Sequence, residues 1–246
     1  MNSPFRVVIL IFLATIVGCS GAYVKKDQPA DVIYKEAMTF FEKKHYEDAI
    51  SAFQELYARY PMSQYASKAK LRIADSYFKD DNYPEAISGY REFEKLHPTN
   101  ENIPYAIYQT GISYFMQKLT IDRDQTATKN ALSEFERLLS RFPDSQYVEE
   151  ARKKMEICKN DMAENEFYIA SFYYRKNNFK AAAERLKGAI DNYPEFSGMD
   201  KVLFYAGKSY IELNEREKGK SLLEKLLNDY PGSRLTDEAK VILTSN

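Results

Sequence analysis

The chain has no tryptophan, two cysteines, two histidines, nine glycines and nine prolines among its 246 residues. Each scarcity removes a class of function. Two cysteines cannot build a disulfide framework. One of them, Cys19, stands directly behind an apolar leader, which leaves Cys158 without a partner in the mature chain, and its helical surroundings make it a half-buried structural thiol rather than a nucleophile. His45 and His97 have no second ligand at metal spacing, so no metal site is expected. The glycines are scattered and form no phosphate-cradling loop. Thirty-five Lys and Arg balance 36 Asp and Glu to a net charge of −1, so there is no basic excess to neutralise a nucleic acid backbone. Asp122 and Asp124 flank Arg123 in a single turn, where helix capping and a solvated surface account for them. No catalytic constellation and no cofactor site is expected, and the chain reads as a binding protein rather than an enzyme.

What is present is aromatic and repetitive. Hydrophobic residues make up 44% and charged ones 29%, a balance that suits a soluble helical protein, and 20 Tyr and 15 Phe must pack somewhere. The start is separate. Arg6 precedes the apolar run Val7 to Val17, which has signal-peptide length and is short for a membrane span. Ile16-Val17-Gly18-Cys19 then resembles a bacterial lipobox, in which the cysteine is acylated and becomes the first mature residue. Residues 1–18 are accordingly expected to be a lipoprotein signal peptide and 19–29 a lipid-anchored linker. Ser20, which is not Asp, resembles sorting signals that favour the outer membrane. The alternative is an ordinary signal peptide with an accidental cysteine.

Five stretches share one grammar, ending at Pro61, Pro98, Pro143, Pro194 and Pro231. One residue before the proline comes Tyr60, His97, Phe142, Tyr193 or Tyr230. Twelve before it comes a small residue (Ala49, Ala86, Ala131, Ala182, Gly219), and eight before it a large apolar one (Phe53, Tyr90, Phe135, Leu186, Leu223). That spacing puts small and large on one helix face. A preceding helix carries a small residue followed three later by an aromatic: Ala37/Phe40, Ala74/Tyr77, Gly111/Tyr114, Ala170/Tyr173, Gly207/Tyr210. Facing small residues let two backbones approach closely. Ser63, Ser145 and Ser233, which follow three of the prolines, can each accept from an unpaired amide at the next helix start. The order over about 34 residues resembles the tetratricopeptide repeat, whose units stack into a superhelix because none can bury its faces alone. The expected fold is all-α: five tetratricopeptide-like hairpins in a right-handed superhelix, with a long helix joining the first three to the last two.

Two spacings depart from the repeat. The third unit has eight extra positions between its small residues, a lengthened turn within the hairpin. Between Pro143 and Ala170 lie fourteen residues more than in the other linkers, in a segment free of proline and glycine. Fourteen residues are close to four helical turns, so one continuous helix keeps its face and gains about 21 Å. The halves are drawn at 30–143 for repeats one to three and 144–246 for the long helix with repeats four and five.

Three residues before and four after the first small residue of each unit, the chain is always apolar: Tyr34/Phe41, Leu71/Phe78, Tyr108/Phe115, Phe167/Tyr174, Phe204/Ile211. In a stacked superhelix these positions face the concave side. Two uses are open: packing between neighbouring first helices, or a groove that takes a peptide with aromatic anchors. Tyr105 and Ile112 enrich the third unit, so a groove is expected in the first three units.

The stretches "LHPTNENIPYAIYQTGISY", "DRDQTATKNALSEFERLLSRFPDSQY" and "EFYIASFYYRKNNFKAAAERLKGAIDNYP" are similar to the BamD family of outer membrane protein assembly factors, the tetratricopeptide lipoproteins of the BAM complex. With the lipobox and the long helix the resemblance covers essentially the whole chain, though the long turn is shorter here than in enterobacterial members. It implies a scaffold on the periplasmic face of the outer membrane that binds BamA through its POTRA region, alongside other Bam lipoproteins, and receives unfolded outer-membrane proteins. By the same resemblance, the client groove would be Tyr34, Phe41, Leu71, Phe78, Tyr105, Tyr108, Ile112 and Phe115, and Arg185 would contact BamA, unless it is an ordinary solvated helix residue. A different envelope repeat protein, such as a Tol-Pal or cell-wall coordinator, is the competing expectation.

Overall fold

The computed structural model describes residues 27–245, so the expected signal peptide and Cys19, the expected acylation site, lie outside the described residues. Within them the chain is all helix and turn: α1 (Ala30–Glu42), α2 (Tyr46–Arg59), α3 (Ala66–Lys79), α4 (Tyr83–Leu96), α5 (Ile103–Met116), α6 (Thr126–Arg141), α7 (Val148–Arg175), α8 (Phe179–Asn192), α9 (Met199–Glu212), α10 (Arg216–Asp229) and α11 (Thr236–Thr244). Consecutive helices pack as the hairpins α1/α2, α3/α4, α5/α6, α7/α8 and α9/α10, and α11 covers the end of the last.

Four hairpins turn in the same way. The first helix ends with a residue in the left-handed region: Lys44 (φ 63°), Asp81 (φ 56°), Asn177 (φ 55°) and Asn214 (φ 62°). The amide after it reaches back to the carbonyl of Phe40, Tyr77, Tyr173 or Tyr210 (2.9 Å in every case), while the left-handed residue's own amide reaches Phe41, Phe78, Tyr174 or Ile211. This is the Schellman closure, which satisfies the last carbonyls of a helix. Its six-residue ring starts at the aromatic that recurs three residues after each small one, so the repeat aromatic and the turn belong to one device. α5 lacks this closure and opens instead into the long turn, residues 117–125.

The small residues do what their spacing suggests. Ala37, Ala49, Ala74, Ala86, Ala131, Ala170 and Ala182 are fully buried. In the last hairpin two glycines bring backbone against backbone, because a Cβ on Gly219 would lie 2.7 Å from the Gly207 carbonyl oxygen and 2.6 Å from Ile211. Gly188, on α8, has nothing within 4 Å of its Cβ position. The pair makes a controlled prediction. Gly188→Ala should stabilise by about 0.5–1 kcal/mol through helix propensity, while Gly219→Ala should lose that gain and destabilise by about 1–3 kcal/mol through overpacking. Urea unfolding followed by circular dichroism reads both.

Three buried clusters form the core. The first joins Ile33, Ala37, Phe53 and Leu56 to Ala69 and Ile73 of α3. The second runs from Leu71, Tyr90 and Phe93 through Ile107, Phe135 and Leu138 to Ala151 and Cys158 of α7. The third begins at Ala163 of the same helix and continues through Ala170, Leu186, Leu203, Leu223 and Leu226 to Ala239 of α11. The 28 residues of α7 span about 42 Å. Its first half therefore closes the third hairpin, and its second half opens the fourth. The extra four turns are packed along their length rather than standing free as a rod.

The long turn is clamped to that helix. Lys118 pairs with Asp161, and Asn165 Nδ2 donates to the Ile121 carbonyl at 2.6 Å. Gln125 holds the turn from within by donating to the Thr120 and Arg123 carbonyls, and Asp124 accepts from the Thr126 amide at 2.9 Å. The capping serines divide. Ser145 and Ser233 accept from the amides of Tyr147 and Leu235, each one residue before the helix proper, whereas buried Ser63 Oγ has no hydrogen-bond partner among the described residues.

Candidate binding surfaces

The apolar positions on the first helices fall into two geometric sets. Those three before the small residue pack between units. Tyr34 lies 5.7 Å from Phe53 of its own hairpin and 5.2 Å from Tyr65 at the start of the next. Tyr108 repeats the arrangement, 6.2 Å from Phe135 and stacked on Tyr147 at 5.1 Å. Leu71 occupies the same position and is buried. Those four after the small residue pack across the hairpin turn: Phe41 edge-on to Tyr46, Phe78 to Tyr83, and Tyr174 to Phe179. In the third unit the lengthened turn removes that partner, and Phe115 instead lies beneath the ammonium groups of Lys118 (4.4 Å) and Lys154 (5.0 Å). Tyr34 and Phe41 join the first core cluster, while Leu71, Phe78, Tyr105, Tyr108, Ile112 and Phe115 join the second. Apart from Leu71 these side chains are half-buried, each committing part of its ring or chain to a neighbour and leaving part to solvent.

Between the two clusters stands Asp75, which sequence reasoning passed over. Only 3% exposed, it accepts from the hydroxyls of Tyr90 and Tyr105 on one carboxylate oxygen and from the Arg72 guanidinium on the other, each at 2.8 Å. Arg72 in turn lies over the Phe41 ring at 5.8 Å. The network ties α3 to α4 and α5 and extends to the first hairpin. Burial pushes the Asp75 carboxyl above its ordinary range, against the opposing pull of Tyr90, Arg72 and Tyr105, and burial together with the Asp75 charge pushes both tyrosine hydroxyls up. An aspartate directly after the buried Ala74 of a helix that needs apolar contacts was the available signal.

On the other half, Arg185 of α8 is exposed and pairs with Glu166 of α7 at 3.1 Å. Cys158 is fully buried and its thiol is pushed up to about 11 by burial, far from a reactive thiolate. Among the described residues no three His, Cys, Asp or Glu side chains gather where they could hold a metal ion, and no helix is long and apolar enough to cross a membrane.

Residues 26–221 match the family model of the outer membrane lipoprotein YfiO. A curated relative from Caulobacter vibrioides, called outer membrane protein assembly factor BamD, is 26% identical over 242 residues, covering 96% of this chain and 79% of its own. Those of the same name from Rickettsia prowazekii and Vibrio cholerae are each 29% identical, covering 92% and 83% of this chain and 91% and 89% of their own. Among solved structures, the TPR2AB domain of yeast Sti1 in complex with a pHSP90 is similar at 13% identity and a TM-score of 0.44, over 87% of this chain and 84% of that one. YrrB, described as a TPR protein with an unusual peptide-binding site, is similar at 18% identity and a TM-score of 0.38, over 87% and 92%.

Proposed function

The chain belongs to the YfiO family of outer membrane lipoproteins, and on that premise we propose that it is an assembly factor for outer membrane proteins that binds without turnover. In this reading it hangs from the periplasmic face of the outer membrane by acylated Cys19. The half built on α1–α6 receives unfolded outer-membrane proteins, and the half built on α7–α10 engages BamA through its POTRA region, with other Bam lipoproteins beside it.

What supports the reading above all is that similarity to the assembly factors runs through both halves and the helix between them. The geometry suits it. α7 enters both the second and the third core clusters, so two partners docked on opposite halves would be kept at a fixed separation. The half-buried ladder from Tyr34 to Phe115 can accept aromatic side chains on the ring surface that packing leaves free, as apolar grooves on helical proteins do. Arg185, exposed and held by one carboxylate, can exchange Glu166 for an acidic partner group at little cost, since a surface pair contributes about 0–1 kcal/mol. A tether also raises the effective concentration of the scaffold beside a membrane-bound insertase.

Two measurements test it. Affinity capture from solubilised outer membranes should recover BamA, with Arg185→Glu recovering less; capture of Tol components or peptidoglycan enzymes instead would favour the other class of envelope adaptor. A peptide with the carboxyl-terminal sequence of an outer membrane protein should bind the parent about tenfold more tightly than Phe78→Ala or Tyr108→Ala, the loss expected for an aromatic anchor. Equal affinities would remove the groove from the account.

A further inference from the structure

A cleft with an aromatic floor lies in the other half. It has a volume of about 800 Å³ and opens between the end of α7, the start of α9 and the turn that leads into α11. Phe167, Tyr174 and Tyr205 form its floor. Tyr205 stands 5.8 Å from Phe167 and edge-on to Tyr174 at 5.1 Å, so the three rings brace one another in a fixed array. Half-exposed rings from two different helices, facing one open volume, form a surface that the packing of the hairpins does not use up.

The charge around it is mainly positive. Arg175, Lys201 and Arg234 line the rim, all three exposed and none in an ion pair among the described residues. The one carboxylate in the lining, Asp200, accepts from the neutral Ser233 hydroxyl at 2.6 Å and stands against the three cations as the single opposing group in the lining. Lys208 of α9, outside the lining, is paired with Glu238 at 2.9 Å. Exposed cations without an ion pair occur elsewhere among the described residues, Lys43, Lys44, Lys176 and Lys180 for example, so what marks these three is their place around the aromatic rings of one cleft. Three exposed cations against one lining carboxylate, over an aromatic floor, give the cleft a net positive rim.

We propose that this cleft is a second peptide site, which takes an extended acidic segment of a partner protein carrying an aromatic side chain. The ring of the segment would stack among Phe167, Tyr174 and Tyr205, and its carboxylates would meet Arg175, Lys201 and Arg234 at the rim. Rim charges act chiefly on encounter and on selection of partners. Binding should therefore weaken steeply with salt, and a segment of the same shape with amides in place of carboxylates should be refused. This goes beyond the client ladder on the first three hairpins and does not depend on it.

The test uses the full chain in detergent micelles and a fluorescein-labelled, end-blocked peptide that alternates glutamate and phenylalanine, read by anisotropy. Saturable binding is expected, weakened about tenfold or more when glutamines replace the glutamates and by a similar factor in the triple variant Arg175→Glu, Lys201→Glu, Arg234→Glu. Ser171→Trp, which fills the cleft from a half-buried position on α7, should abolish binding while the helical spectrum is kept. Phe78→Ala and Tyr108→Ala should leave it unchanged, so that failure of the client ladder and failure of this cleft are told apart. Affinity that is indifferent to both the charge reversal and Ser171→Trp would overturn the proposal. So would absence of peptide binding together with a charge-dependent association of the same three residues with phosphatidylglycerol vesicles, which would assign the patch to a lipid surface.

Discussion

Asp75→Ala is expected to destabilise the protein by about 3 kcal/mol, because it leaves the Tyr90 and Tyr105 hydroxyls without the acceptor they share and removes the partner of Arg72. Tyr90 is 1% exposed, so its hydroxyl cannot turn to water without moving the ring out of the core. Asp75→Asn should cost less, since an amide oxygen still accepts from the two hydroxyls. The two variants also differ from the parent in pH dependence. Burial raises the Asp75 carboxyl, so the folded protein holds that proton more tightly than the unfolded chain, whose carboxyl titrates near the ordinary value of about 3.9. Between that value and the raised one the folded state carries more protons, and the slope of stability with pH is negative. This group's contribution is thus fully present below the unfolded value and declines as pH rises through the folded one. Asp75→Asn should remove that decline. Urea midpoints measured between pH 4 and pH 7 check both statements, and an Asp75→Ala variant as stable as the parent would show that the network contributes nothing.

Insertion of two alanines after Asn160 should be at least as damaging, for a different reason. Two residues rotate the rest of α7 by about 200°. Ala151 and Cys158 on one side of the insertion face the second core cluster, while Ala163 and Ala170 on the other face the third. After the insertion both sets cannot point inward at once, and Asp161 and Asn165 can no longer clamp the long turn. A single unfolding transition should split in two, or the less stable half should lose its structure. Insertion of seven alanines, which restores the face to within about 20°, should keep both cores while losing the clamp and the hydrogen bond from the Ser197 amide to Asn160. If the two-residue insertion unfolded like the parent, α7 would be a linker and not a shared element of both cores.

How much of this could be read before the structure follows from what a side chain must do locally. Ala37, Ala74 and Ala170 repeat at fixed distances from Phe40, Tyr77 and Tyr173 because every hairpin solves the same close-packing problem, so the hairpins and their order are visible as spacing. The continuous helix α7 was legible from fourteen additional helix-forming residues, since that number nearly preserves the face. The turns were visible only as intervals. Lys44, Asp81, Asn177 and Asn214 adopt a conformation usually announced by glycine, and none of them is glycine. Ser63 resembles Ser145 and Ser233 in position but not in bonding, because whether a hydroxyl meets an amide depends on a rotation that spacing does not encode. Asp75 and the cleft above Tyr205 were hidden for another reason: each is assembled from residues of three elements, and nothing periodic marks them.

The claim on which the account turns is that the five hairpins form one continuous stack, with α7 fixing the first three to the last two. The most direct measurement is the distance distribution between nitroxides at Lys95→Cys on α4 and Glu224→Cys on α10, both exposed, with buried Cys158 left native and unlabelled. A single narrow peak that does not broaden when partners are absent is the predicted result. A broad or bimodal distribution in the isolated protein would contradict it, because the two halves would then move independently.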